Sequence, residues 1–593
     1  MHGLPGVTPP AGNFKPFLRA SLWLCGLAWT APLLQPYHRF PLTAFYSEWL
    51  AFALGLAAVL PLLRREPWRE LTVPLVALAP LALIVVLAAQ VLLGRVPYAE
   101  QALTAGLYLL WAALLIVLGH LLRRGLALTE IATTLAWFLL AGGALNALVG
   151  LAQHYHLVFA ADFLVMRKEW PMIYGNVGQP NHYATAVSLS LASAAYLYSR
   201  RKLPGALAAG CSALFLVVLA LAASRSPWLY LAALIVLAQL LHWLLPDDTS
   251  RRLAVAALWM LPGFVAAQWL VTLPFLAPDE MAVLTSAQRL FQVASGIEPR
   301  LELWGEAWRM FLGAPLLGAG FGQFAWHHFL QQGASGPTTA PGVFNHAHNI
   351  VLHLMAETGL AGAVFIVGAA LLWLIDSRRA VLDPERWWLL ALAGIIGIHS
   401  LLEYPLWYAY FLGVAALLLG IGAERLLAVR FAGLARAVVG VAALVGSVNL
   451  AAVIPPYRDF ERLIFAAGPA ASRAADEAAF AQAMMQAHRE PLLTPYVELA
   501  FAFGATVDAT RLQDKLALVT RAMHFAPVDV VVYRRALLLA LAGERAAALA
   551  QLDRSLAAYP GEAEAVAAEL AELAQRHPAE FTPLLELATA KFR

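Results

Sequence analysis

The chain has 593 residues, 61% of them hydrophobic and only 13% charged, with a mean hydropathy of +0.68, more apolar surface than a soluble domain can hide from water. The solvent for most of it is lipid. A net charge of +3 argues against a nucleic-acid partner, so the placement of Lys and Arg carries the information instead. Cys25 and Cys211 both lie in apolar runs, where a packed free thiol is the better reading than a disulfide. The first apolar run begins near Phe17 and ends on bulky Leu34, Gln35, Pro36 and Tyr37, which is no cleavage site and predicts a retained first span.

Mostly apolar runs of about 18 or more residues fall near 17–35, 44–63, 72–93, 102–122, 129–152, 182–199, 204–223, 227–245, 253–276, 349–375, 387–403, 406–424 and 434–456. They predict an all-α, polytopic membrane protein of about thirteen transmembrane helices. Cytoplasmic loops carry an excess of Lys and Arg. The clusters Lys15 and Arg19; Arg64, Arg65 and Arg69; Arg123 and Arg124; Arg200, Arg201 and Lys202; Arg251 and Arg252; Arg378, Arg379 and Arg386; and Arg425, Arg430 and Arg436 alternate along the chain. They predict a cytoplasmic amino terminus. The opposite connections include the two longest, 153–181 and 277–348, and long ordered loops of membrane proteins tend to hold function. Residues 1–456 are read as the transmembrane domain. After an odd number of spans, residues 457–593 fall outside as well: an Ala-rich, soluble, all-helical domain with helical spacing at Arg473–His488, Val530–Ala542 and Arg545–Tyr559. Ala526 to Pro560 has the pattern of one tetratricopeptide-like hairpin.

The chemistry-bearing residues gather on the outer side. Arg225, in Ala223-Ser224-Arg225-Ser226-Pro227, sits at the outer end of two apolar spans and breaks the charge rule. It is either a snorkelling interfacial side chain or a cation held for an anionic ligand. Pro299 to Met310 reads as an amphipathic helix with Arg300, Trp304 and Trp308 along one face and Arg309 near its end. The run Gly318-Ala319-Gly320-Phe321-Gly322 follows no strand, so a set of tight turns fits better than a phosphate cradle. Next comes Asn345-His346-Ala347-His348-Asn349, at the mouth of a span. Metal binding is disfavoured for these histidines: no Cys is at hand and no helical ligand spacing appears, even with His327 and His328 nearby. A general base suits His348 better, since histidine is the side chain ordinarily used to move protons near neutral pH, with a locally capping histidine as the alternative. Gln179, Asn181 and His182 in Tyr174–Tyr183, and Glu403 and Tyr404 in His399–Tyr408, complete the set. Segments far apart in sequence bring polar side chains to one face, as a site assembled between helices requires.

His348-Asn349, nine residues, then Gly359-Leu360-Ala361-Gly362 resembles the signature of the O-antigen ligase superfamily: His, then Asn, Ser or Gln, nine residues, Gly, two residues, and Gly, Thr or Tyr. Arg225 and the stretch Arg300 to Gly322 are similar to its other outer-face motifs. Gly178-Gln179-Pro180-Asn181-His182 and His399–Tyr408 look like the branch of bacterial protein O-oligosaccharyltransferases, the pilin glycosylation ligases. The resemblance covers residues 20 to 456, most strongly 174 to 410. It implies an inner-membrane glycosyltransferase that moves a preassembled oligosaccharide from undecaprenyl pyrophosphate to a periplasmic protein hydroxyl, without cofactor or metal. It implies His348 as base, Arg225 and Arg300 on the pyrophosphate with Arg309 in support, and Gln179, Asn181, His182, His346, Asn349, Glu403 and Tyr404 lining substrate. An O-antigen ligase acting on lipid A core, or an O-antigen polymerase, is the rival within the superfamily. A lipid-linked sugar transporter is the rival outside it, disfavoured because no repeat of spans and no line of ionisable residues through them is seen. A membrane scaffold would leave the histidine and arginines unexplained.

Overall fold

The computed structural model describes residues 14–69, 72–157, 163–169, 171–273, 299–332, 342–378, 382–466 and 484–591, with isolated positions between. Two compact units interleave along the chain: Met1–Ala82, Leu107–Gly296 and Phe365–Ala451 form the first, and Leu83–Gly106, Ile297–Val364 and Ala452–Arg593 the second. The helices are α1 (Lys15–Leu34), α2 (Phe45–Ala58), α3 (Leu78–Leu92), α4 (Ala99–Gly125), α5 (Leu128–His154), α6 (Pro180–Ser199), α7 (Gly205–Leu221), α8 (Ser226–Leu244), α9 (Asp248–Leu270), α10 (Pro299–Gly313), α11 (Phe324–Gln331), α12 (Ile350–Ser377), α13 (Pro384–Ser400), α14 (Ala409–Ile421) and α15 (Ala432–Ala466). The tail adds α16 (Thr494–Phe503), α17 (Leu512–Phe525), α18 (Asp529–Leu541), α19 (Arg545–Ala558), α20 (Ala563–Arg576) and α21 (Pro578–Ala590). The helix expected to begin at Arg473 lies mostly outside the described residues.

A helix falls in each expected span, but they are not alike. Among the described helices eight are long and apolar enough to cross a membrane, and α2, α7 and α14 are apolar but shorter. The chain is a multi-pass membrane protein. α6 is different in kind: every residue except Asn181 and Tyr198 is buried, against α5, α7, α8, α9 and α13. A helix sheathed by protein has no lipid to satisfy, so it tolerates Thr185, Ser188, Ser190 and Ser193, whose hydroxyls bond back to carbonyls four residues earlier. α15 shows the converse. Leu434, Val438, Val441, Val445 and Val448 make an exposed apolar stripe at helical spacing, a surface suited to acyl chains and not to water.

The departure from an all-α chain is small. Thr72–Pro74 (β1) pairs antiparallel with Leu426–Ala428 (β2), because both segments leave helices in extended form and Pro74 cannot continue one. At the same end of the first unit the Arg-rich connections pair with acids: Arg19 with Glu130 at 2.6 Å, Arg200 with Glu385 at 3.0 Å, Arg201 with Asp248 at 2.8 Å, Arg425 with Asp376 at 2.6 Å, and Arg386 with Glu424. These contacts tie together loops that charge alone had grouped.

In the second unit the tail helices pack as neighbours in sequence, α18 on α19 and α20 on α21. α18 turns into α19 at Gly543, whose φ is +80°. Phe329 of α11 is fully buried in the core that α17 to α21 form, and the Trp326 ring lies 4.2 Å from that of His524. Glu498 is a hub: it accepts from Tyr98 at 2.6 Å and from Arg521 at 2.7 and 2.5 Å, with His488 at 3.1 Å. Burial opposes its charge, but these hydrogen bonds outweigh that and hold its carboxyl below the ordinary range.

Candidate active site

In the first unit Pro180 opens α6, and the Gln179 side chain caps it by accepting from His182 N–H at 2.6 Å. The preceding turn is fixed from below. Asn176 donates to the carbonyls of Leu34 and Leu164, each at 2.8 Å, and accepts from Met166 N–H, while His38 Nε2 meets the Asn176 carbonyl at 2.8 Å. Gly175 has φ +54°, and a Cβ there would stand 2.7 Å from the Tyr183 ring, so the turn needs glycine.

Asn181 uses both ends of its amide. Its Nδ2 donates to Glu403 Oε1 at 2.9 Å, and its Oδ1 accepts from Ser224 Oγ at 2.7 Å. Three connections are thereby joined, and the turn that carries Arg225, entered through Ala223 at φ +52°, is tied to Glu403. Arg225 itself is half-buried at the start of α8. Deeper, Thr185 Oγ1 lies 2.9 Å from His399 Nδ1 and 3.0 Å from Tyr230 OH. The His182 ring packs edge-on to Tyr408 at 4.5 Å and lies 6.5 Å from Tyr404. Burial, and then the nearby Glu403, push the Tyr404 hydroxyl upward in pKa, so it keeps its proton as a donor. Glu48 of α2 accepts from Tyr108 OH at 2.9 Å and from the Ala409 N–H at 2.7 Å, which anchors the start of α14 beside this cluster.

In the second unit α10 buries Leu303, Glu306, Ala307 and Met310. The same small core contains Ala347, Ala356 and Phe324. Glu306 forms a short, buried hydrogen bond with His328, fixing α10 to α11. Arg300 is half-buried one turn before Leu303, and Arg309 is exposed with its Nε 3.0 Å from Gln331 Oε1. His348 is half-buried and has a left-handed backbone, φ +51°. Asn349 caps α12, its Oδ1 accepting from Val351 and Leu352 at 3.1 and 3.2 Å. His346 is buried and stacks on His353 at 4.7 Å; burial, then the neighbouring His353 and His348, hold it well below the ordinary histidine range and keep it neutral.

The glycine spacing now has a physical reason. α12 breaks at Gly359, φ +64° and ψ −165°, and the Pro315–Gly322 loop docks into the break. Leu360 N–H donates to Pro315 at 2.8 Å, Ala361 N–H to Leu316 at 3.1 Å, and Ala319 and Gly320 N–H to the Ala356 and Glu357 carbonyls at 2.9 and 3.1 Å. Phe321 N–H goes to Gln90, Gly322 N–H to Glu357 Oε2 and Phe324 N–H to Glu357 Oε1. These backbone donors are consumed inside the fold, so the glycine run is a docking loop and not a phosphate cradle.

Asn181, Asn349, Gln179 and His346 thus each have a structural engagement beside any contact with substrate. Sequence reasoning passed over Glu48, Thr185 and His353, and gave Glu357 no role. The signals were present: an acid inside an apolar span at 48, and a His-x-x-x-Glu pair at one-turn spacing following His348. Among the described residues no group of three or more His, Cys, Asp or Glu is gathered as a metal site.

Three family models match along the chain: a protein glycosylation ligase over residues 173–198, the O-antigen ligase over 210–367, and the C-terminal part of a virulence factor membrane-bound polymerase over 387–573. The second spans Arg225, the broken helix and its docking loop, so this part of the chain is similar to O-antigen ligases. Two curated relatives from Acinetobacter baylyi narrow this. A general O-oligosaccharyltransferase is 29% identical over 402 residues, 67% of this chain and 68% of the relative. A ComP-specific O-oligosaccharyltransferase is 26% identical over 238 residues, 40% of this chain and 41% of the relative. Together with the protein glycosylation ligase match, these relatives support oligosaccharyltransferase activity for the chain.

Proposed function

We propose that this enzyme transfers a preassembled oligosaccharide en bloc from undecaprenyl pyrophosphate to Ser or Thr hydroxyls of periplasmic proteins such as pilin. His348 takes the proton of the acceptor hydroxyl as its oxygen attacks the anomeric carbon. The bond from that carbon to the pyrophosphate oxygen breaks, and the lipid pyrophosphate leaves with the electron pair. Arg225 and Arg300 meet the phosphates as negative charge grows on the leaving group, with Arg309 in support. Tyr404 and Gln179 orient sugar or acceptor. The observation that carries the reading is the His348-to-Gly362 signature on a strained turn above a broken helix, in a chain homologous to O-oligosaccharyltransferases.

The topology that goes with this function has about thirteen spans in the inner membrane, a cytoplasmic amino terminus, and a periplasmic 277–348 loop. A transmembrane domain over 1–456 would precede a periplasmic, tetratricopeptide-like domain over 457–593. The match of residues 387–573 to a membrane-bound polymerase favours, as a second reading, glycan polymerisation or transfer to lipid A core.

The test is transfer in cells or vesicles supplied with lipid-linked oligosaccharide and pilin, comparing wild type with His348→Ala, Arg225→Ala and Arg300→Ala. Pilin should be glycosylated by the wild type and by none of the variants at comparable rate. Normal transfer by His348→Ala removes the base assignment. Modification of lipid A core or elongation of the glycan, with pilin untouched, moves the enzyme to the second reading.

A further inference from the structure

We infer that His353 and Glu357 act as a positioning pair that sets the backbone of His348; the inference rests on the reading of His348 as the base. A non-glycine residue at φ +51° is strained and persists only where its surroundings over-determine it. Two restraints flank His348. On its far side Asn349 is locked by capping α12. On its near side the fully buried Ala347 donates its N–H to His353 Nδ1 at 3.4 Å.

That bond fixes the tautomer. Nδ1 accepts, so the ring hydrogen is on Nε2, which faces Glu357 Oε2 at 3.3 Å. The Glu357 carboxylate is pinned in turn by the N–H groups of Gly322 and Phe324, both at 2.9 Å, and its carbonyl accepts from Gln90 at 2.7 Å. The donors converge on the Glu357 carboxylate, from the docking-loop amides on one side and from Ala347 N–H through His353 on the other. His346, stacked on His353, covers the ring. Both residues of the pair are almost completely buried, so they act through His348 and do not touch substrate. The arrangement resembles the way a carboxylate orients a histidine in hydrolytic triads, but here the oriented imidazole holds a backbone amide.

Two amides separate the bonds. In His353→Asn the side-chain oxygen takes the place of Nδ1 and can still accept from Ala347, but nothing reaches Glu357. In His353→Gln the side-chain NH2 takes the place of Nε2 and reaches Glu357, but Ala347 loses its acceptor. Turnover of full-length enzyme in vesicles is measured with pilin and variable lipid-linked oligosaccharide, beside thermal unfolding of each variant. His353→Asn, which keeps the acceptor for Ala347 but loses the orienting Glu357, should fall between wild type and the other variants in kcat, and His353→Gln and His353→Ala should lose about 10²-fold in kcat with the donor KM unchanged, the size expected for a misplaced reacting group. Gln equal to or better than Asn, a loss confined to KM, or wild-type turnover in His353→Ala overturns the inference. If His353→Gln does not fold, the Asn variant still decides, because a 10²-fold loss there is equally fatal. An active His348→Ala removes the base reading itself; an inert His348→Ala beside a normal His353→Ala removes only the positioning pair.

Discussion

Gly359→Ala puts a single methyl group into the break in α12. An ideal Cβ at this position would stand 2.4 Å from the Leu316 carbonyl carbon, 2.5 Å from its oxygen and 2.6 Å from the Gly318 nitrogen. All three are backbone atoms, so no side chain can swing aside. The conformation, φ +64° and ψ −165°, is a region essentially reserved for glycine and costs another residue about 1–3 kcal/mol. Relieving the overlap means withdrawing the docking loop, which weakens the Leu360 to Pro315 and Ala361 to Leu316 bonds, each contributing about 1 kcal/mol. Together these give a loss of about 3–5 kcal/mol. Gly368 lies in the same helix with nothing within 4 Å of its Cβ position, so Gly368→Ala should be neutral or slightly stabilising. Thermal unfolding in detergent, read alongside transfer to pilin, compares the two. If Gly359→Ala unfolds and transfers like wild type, the broken helix is not the reason for the glycine spacing.

Asn181→Ala should cost about 2–3 kcal/mol by leaving the buried Glu403 and Ser224 without their shared partner, and should lower transfer through the Arg225 turn. Combined with Ser224→Ala the effects should fall short of additive, as contacting residues do; additive losses in unfolding and transfer would mean the relay is not coupled. Glu498→Ala should destabilise the second unit by about 2–3 kcal/mol, discounted for the half-exposed Arg521, and expose the tail to limited proteolysis. Because the folded carboxyl of Glu498 lies below its ordinary value, its contribution is complete above the unfolded pKa and fades as pH falls through the folded one. Acidification from about pH 5 to pH 3 should therefore destabilise wild type more than Glu498→Ala, and parallel pH curves would refute this.

Hydropathy and Arg placement marked the spans and grouped the loops, because lipid contact imposes a demand on every residue facing it and that demand is written in composition. The ion pairs from Arg19 to Arg425 join the loops that the charge pattern had already sorted. α6 was harder to judge, because a helix enclosed by protein answers to its neighbours; its serines and Thr185 are legible only once α5, α7 and α13 surround it. The same holds at the site. His348 and Gly359 stand out by spacing within one stretch of chain, whereas Asn181 meeting both Glu403 and Ser224, or Gln90 and Glu357 absorbing the amides of the glycine run, depends on residues tens to hundreds of positions apart. The sequence by itself determined that the chain is a multi-pass membrane protein and which polar residues stand apart from its apolar spans. Tertiary structure decided which of those polar groups are spent holding the fold, because a buried hydrogen bond is defined by its partner and a partner's position is not a local property of the chain.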